Sequence, residues 1–105
     1  MIIQINSNKS IQVQEELVAQ VEAMVTKSLS HFSAHITRVE VHLSDENGSK
    51  DGKHDKRCMM EARLEGRQPA AVTCEAATLA QAVAGAADKL KRSLGSTLER
   101  LNDHR

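Results

Sequence analysis

Ile3 and Ile5 alternate with Gln4 and Asn6 and run into Ser7-Asn8, a period of two that predicts a short opening strand ending in a turn. From Val13 the period changes. Leu17, Val21, Met24, Val25 and Phe32, flanked by Val18 and Leu29, recur at helical spacing over about twenty residues and predict an amphipathic helix. The period of two returns at Ile36-Thr37-Arg38-Val39-Glu40-Val41-His42-Leu43. There Val39, Val41 and Leu43 share one side of a strand, and Arg38, Glu40 and His42 share the other.

Ser44 to Lys56 is polar throughout and rich in Asp, Asn and Gly, so it reads as a long exposed hairpin loop. Cys58, Met60, Ala62 and Leu64 then alternate with Met59, Glu61, Arg63 and Glu65 as the next strand. Gly66-Arg67-Gln68-Pro69 turns the chain into Val72, Cys74 and Ala76, which alternate with Thr73 and Glu75. The last three strands should form an antiparallel meander. Thr78 suits a helix N-cap, and Leu79, Val83, Ala86, Ala87, Leu90, Leu94, Thr97, Leu98 and Leu101 trace one stripe of a long second helix. Gly85 and Gly95 are its weak points, each costing about 1 kcal/mol relative to Ala. The expected fold is α+β in the order β-α-β-β-β-α. A four-stranded sheet carries two helices on one face and leaves its other face wet.

Composition narrows the function. With 105 residues the chain is the size of one domain, 1–105, and 40% hydrophobic against 27% charged residues is ordinary globular usage. Phe32 is the one aromatic among Phe, Trp and Tyr, which excludes binding of single-stranded nucleic acid on aromatic platforms. Fourteen basic residues balance fourteen acidic ones, so a polyanion site has to be local. No secretion signal or membrane-length apolar run is present, and the expectation is a cytoplasmic, soluble protein.

Catalytic constellations are missing from the pattern. His31 and His35 have the spacing of a helical metal pair, but the helical period ends near Phe32. His54 and His104 lie in polar surroundings. There is no Gly-x-Ser-x-Gly elbow and no phosphate-binding Gly-x-x-x-x-Gly-Lys, and the acidic loop lacks calcium-site spacing. Cys58 and Cys74 both point inward by alternation, as small core residues. No enzyme, metal or cofactor is expected.

Charge placement says more than its sum. Residues 79–105 hold five basic side chains against three acidic ones, while residues 1–35 hold two against three. Lys89, Arg92 and Ser96 share one helical face beside the leucine stripe. Arg38, His42 and Arg63 lie on the wet sheet face, interleaved with Glu40, Glu61, Glu65 and Glu75, where cross-strand ion pairs are the alternative to a ligand site.

Three segments carry a family resemblance: Ile36-Thr37-Arg38-Val39-Glu40-Val41, Ala62-Arg63-Leu64-Glu65-Gly66, and the Lys-Leu-x-Arg-x-Leu of Lys89 to Leu94. With the order of elements, they make residues 2–101 resemble the ribosome hibernation factors, the short hibernation-promoting and ribosome-associated inhibitor proteins also described as sigma-factor modulation proteins. The resemblance implies a fold similar to double-stranded-RNA-binding domains. It also implies a partner, the ribosomal RNA of the small subunit, bound in the decoding channel so as to inhibit translation by occlusion. Lys89 and Arg92 match basic positions of the family on the second helix and Lys27 matches one on the first; Lys91 and Arg100 neighbour the pattern. Val18, Met24, Ser30 and Ser96 stand where basic residues are common in the family, and Ala80 where an aromatic is usual. Fewer phosphate contacts imply weaker RNA binding than in a typical member. The rival reading is a non-enzymatic, stress-related protein-interaction module on the same fold.

Overall fold

The computed structural model describes residues 1–7, 15–45 and 56–103, with side chains on the last helix described as far as Thr97. Among these residues the order is β1 (Ile2–Ser7), α1 (Glu15–Leu29), a 3₁₀ turn (Ser30–Phe32), β2 (Ile36–Asp45), β3 (Lys56–Leu64), β4 (Ala70–Ala76) and α2 (Leu79–Asp103). This is the α+β, β-α-β-β-β-α order that the periodicities predict. The strands form one sheet in the order β1-β2-β3-β4. β2, β3 and β4 are the expected antiparallel meander, and β1 pairs with β2 in parallel. Parallel strands need a crossover between them, and α1 is that crossover.

Alternation sets the two faces of the sheet. Val39, Val41 and Leu43 of β2 and Cys58, Met60, Ala62 and Leu64 of β3 are buried together with Val21, Val25 and Leu29 of α1 and Val83, Ala86, Ala87, Leu90 and Leu94 of α2. Met24 and Val72, which the pattern assigns to the core, are half-buried at its margin. Ala82 lies in the core although it falls off the predicted stripe.

Element ends depart from the pattern for local reasons. The α-helical part of the first helix stops at Leu29 and its last turn tightens to 3₁₀ geometry; Val13 lies outside the described residues. The hairpin pairing continues through Ser44↔Arg57 and Asp45↔Lys56, so both ends of the expected 44–56 loop belong to the sheet. Residues 46–55 lie outside the described residues. An ion pair between Lys56 and Asp45 accompanies that last step. β4 begins at Ala70 because Ala70 and Ala71 still pair with Ala62 and Glu61.

Three local devices hold these elements in place. The register slips once, between Ile36 and Arg38, leaving Thr37 as the extra residue of a bulge; its hydroxyl donates to the Arg63 carbonyl at 3.1 Å. After β3, the Arg67 N–H donates to the Leu64 carbonyl at 3.3 Å, and Gly66 at φ +70° supplies the left-handed third residue of a type II turn. Thr78 caps α2, its Oγ1 accepting from the Gln81 N–H at 3.1 Å. Gly85 does more than weaken the helix, because it lies where α2 passes over Cys74 of β4.

Candidate nucleic-acid interface

The inward stripe of α2 leaves the basic residues Lys89, Lys91 and Arg92 outside the core. Lys89, Lys91 and Arg92 are all exposed, next to the fully buried Leu90. Arg92 is 80% exposed and lies 3.1 Å from Asp88, one helical turn earlier. Such an exposed pair contributes roughly 0.3–0.5 kcal/mol and yields readily to a stronger anion. Lys89 is held differently. Its Nζ donates to the main-chain carbonyl of Thr73 at 2.8 Å, tying the helix to the outer edge of β4. Lys91 has no side-chain partner among the described residues, and neither does Lys27 in the last turn of α1, where a cation also complements the helix dipole.

Both helices follow strands that point the same way, so they run back side by side in one direction. A Cβ built on Gly95 would lie 3.7 Å from the Phe32 ring, so the end of the first helical segment stands beside the second half of α2. Lys27, Lys91 and Arg92 therefore belong to the same end of the helical layer. Elsewhere α1 exposes Glu15, Glu16 and Glu22, so the positive area is small. Arg100 continues α2 beyond the described side chains.

Arg38 and Arg63 belong to the other side of the molecule. They project from the sheet face away from the helices, and each meets carboxylates. Arg63 Nε lies 3.6 Å from Glu40 and 3.5 Å from Glu61, and an Arg38 terminal nitrogen lies 3.8 Å from Glu40. The seven candidate residues thus do not form one continuous patch. The helical layer holds Lys27, Lys89, Lys91 and Arg92; the sheet face holds Arg38 and Arg63 within alternating charge. The Asp88–Arg92 spacing announces its ion pair in the sequence. Nothing in the sequence announces the reach of Lys89 to Thr73, because the acceptor is main chain on another element.

The chemistry available here is cationic recognition. Among the described residues no three His, Cys, Asp or Glu side chains come together in a way that could hold a metal. The two thiols face each other across β3 and β4 in the Cys58↔Cys74 pair. Burial, with Cys74 adding to it, pushes the Cys58 thiol up to about 12, where it is inert at neutral pH.

Residues 3–102 match the family model described as sigma 54 modulation protein / S30EA ribosomal protein. No curated protein matches the chain. Among solved structures, the fold is similar to the N-terminal domain of Protein Y from Thermus thermophilus, with a TM-score of 0.71 and 22% identity over 89% of this chain and 94% of that one. It is also similar to a ribosomal subunit interface protein from Coxiella burnetii, with a TM-score of 0.77 and 14% identity over 94% of this chain and 99% of that one.

Proposed function

Because this chain belongs to the sigma 54 modulation protein / S30EA ribosomal protein family, we propose that it is a ribosome-associated factor of translation control, acting in the cytoplasm by binding and not by catalysis. The match over residues 3–102 is the observation that carries this reading. In its finer form, the helical layer meets ribosomal RNA of the small subunit in the decoding channel, and the domain inhibits by occupying space that messenger and transfer RNA need. Lys27, Lys91 and Arg92 make the first contacts, and Arg100 extends them along α2. Lys89 joins by exchanging the Thr73 carbonyl for a phosphate. Arg38 and Arg63 contribute little to this face, since their charge is already matched by Glu40 and Glu61.

Co-sedimentation with small subunits tests the reading. The wild type should pellet at low salt and be released as salt rises, because counterion release supplies much of the affinity. Lys27→Glu with Lys91→Glu should lose most of the pelleted fraction while the fold is retained. A wild type that never pellets at low salt rejects ribosome association. A charge-reversed form that pellets undiminished rejects the helical layer as the contact. The ion-paired sheet face favours a second reading, a protein-interaction module. Salt-insensitive pelleting with ribosomal protein but not with naked RNA would select it.

A further inference from the structure

The two edges of the sheet are protected unequally. At the β4 edge, Lys89 covers the Thr73 carbonyl, Pro69 precedes the strand and Glu75 is exposed on it. Such features discourage another strand from pairing. β1 has none of them. Its sequence Ile-Ile-Gln-Ile-Asn-Ser contains no charge and no proline, and its pairing with β2 runs from Ile2 to Ser7 without a bulge. No strand lies beyond it among the described residues, and the outward main-chain groups of Ile2 to Asn6 are without partners. Met1 and Ile2, 39% and 67% exposed, are the exposed large hydrophobic residues of the described structure, and both lie at this edge. Ile3 and Ile5 face the helical layer but are only half-buried.

We propose that β1 pairs antiparallel with β1 of a second copy of this chain, joining two four-stranded sheets into one across a two-fold axis. Residues directly opposite in an antiparallel pair share a face, so keeping the helices of both copies on one side requires like-facing residues to meet. Centring the axis on Gln4 satisfies this. Ile3 then meets Ile5 of the second copy, Ile5 meets Ile3, Gln4 meets Gln4, and Ile2 packs beside Asn6. Moving the axis to Ile5 would instead leave Ile3 against Ser7 and Ile2 unpaired. The Gln4-centred pairing buries the half-exposed isoleucines and gives the free main-chain groups partners. A two-fold contact uses the same surface twice, which suits a strand whose side chains carry no charge on a chain of zero formal net charge; the two N-terminal ammonium groups lie at opposite ends of the pair, so two copies do not repel. This pairing is independent of ribosome association.

The contact at the axis allows a direct test on the full chain. Gln4 is exposed, so Gln4→Lys and Gln4→Glu should each fold normally, as circular dichroism would verify. Light scattering on size-exclusion fractions across a concentration series should give the wild type twice the 11.5 kDa chain mass at high concentration. Each variant alone should stay at the single-chain mass, because like charges meet at the axis. An equimolar mixture of the two should recover the doubled mass, because Lys then faces Glu. A wild type that stays single-chain at every concentration overturns the proposal and leaves the edge to a foreign strand or to none. Dimeric single variants, or a mixture that fails to pair, overturn it as well.

Discussion

Gly85 of α2 faces Cys74 of β4 so closely that a methyl group placed on it would overlap the thiol sulfur. Propensity alone makes Gly85→Ala favourable by about 1 kcal/mol, while forcing a methyl into a filled core costs about 1–3 kcal/mol. Because the helix is held on both sides of Gly85 by the buried Val83, Ala86 and Ala87, the clash should win. Gly85→Ala is expected to lower the chemical-denaturation midpoint. Adding Cys74→Ala should restore much of the loss, a non-additivity that marks the contact as its origin.

Gly95 should behave in the opposite sense. An added methyl there meets the Phe32 ring at 3.7 Å, an ordinary packing distance. Gly95→Ala therefore keeps the propensity gain of about 1 kcal/mol, equivalent to a rise of roughly 4–8 °C in Tm for a domain of this size. Thermal melts of the two glycine variants, read together, should move apart.

Cys58 sets an alkaline limit on stability. Its folded-state pKa stands near 12 against an ordinary 9.0, so between these values the unfolded chain releases a proton that the folded chain keeps. Unfolding is then favoured as pH rises through this window, by up to about 1.4 kcal/mol per pH unit. Below pH 9.0 this contribution is fully present. Denaturation midpoints measured from neutral pH upward should fall above that point, and Cys58→Ala should flatten the alkaline limb. At neutral pH, alkylation of Cys58 should proceed only as fast as the chain opens.

Glu40 separates the two faces. It lies between Arg38 and Arg63, so Glu40→Gln leaves both guanidinium groups under-neutralised on the sheet surface. Stability should change by less than about 1 kcal/mol, since these pairs are long, at 3.8 and 3.6 Å, and open to water on the arginine side. Binding to an unrelated duplex RNA should strengthen, with a steeper salt dependence, while binding to small subunits through the helical layer should change much less. Equal strengthening toward both RNAs would place the sheet face in the ribosomal contact. Filter binding at two salt concentrations is sufficient.

The element order was readable because each element keeps one period over several residues; the stripe through Val83, Ala87, Leu90 and Leu94 has no competing interpretation. The parallel pairing of β1 was not readable, because alternation in Ile3 and Ile5 specifies a face and says nothing of a neighbour or its direction. Strand ends were underestimated where Ser44, Asp45 and Lys56 are polar, since main-chain pairing across a hairpin continues without apolar side chains. For the interface, the sequence supplied the residues and not their grouping. Arg38 and Arg63 look like allies of Lys89 along the chain, yet a sheet separates them. Gly85 shows a similar limit: its cost to the helix is local and legible, whereas its use is a contact with Cys74, eleven positions away on another element.

The parallel β1–β2 pair has a consequence for the order in which the chain is made. Ile2 finds its neighbour at Arg38, whereas the hairpins of the meander begin with partners much closer along the chain, Asp45 with Lys56 and Ala62 with Ala70. At a synthesis rate of about 5–20 residues per second, β1 waits roughly 2–7 s for the residues it will lie beside. Throughout that interval its isoleucines have no sheet to join on either side. Nascent chains on neighbouring ribosomes of one message would carry the same uncharged segment, unpaired, at the same time.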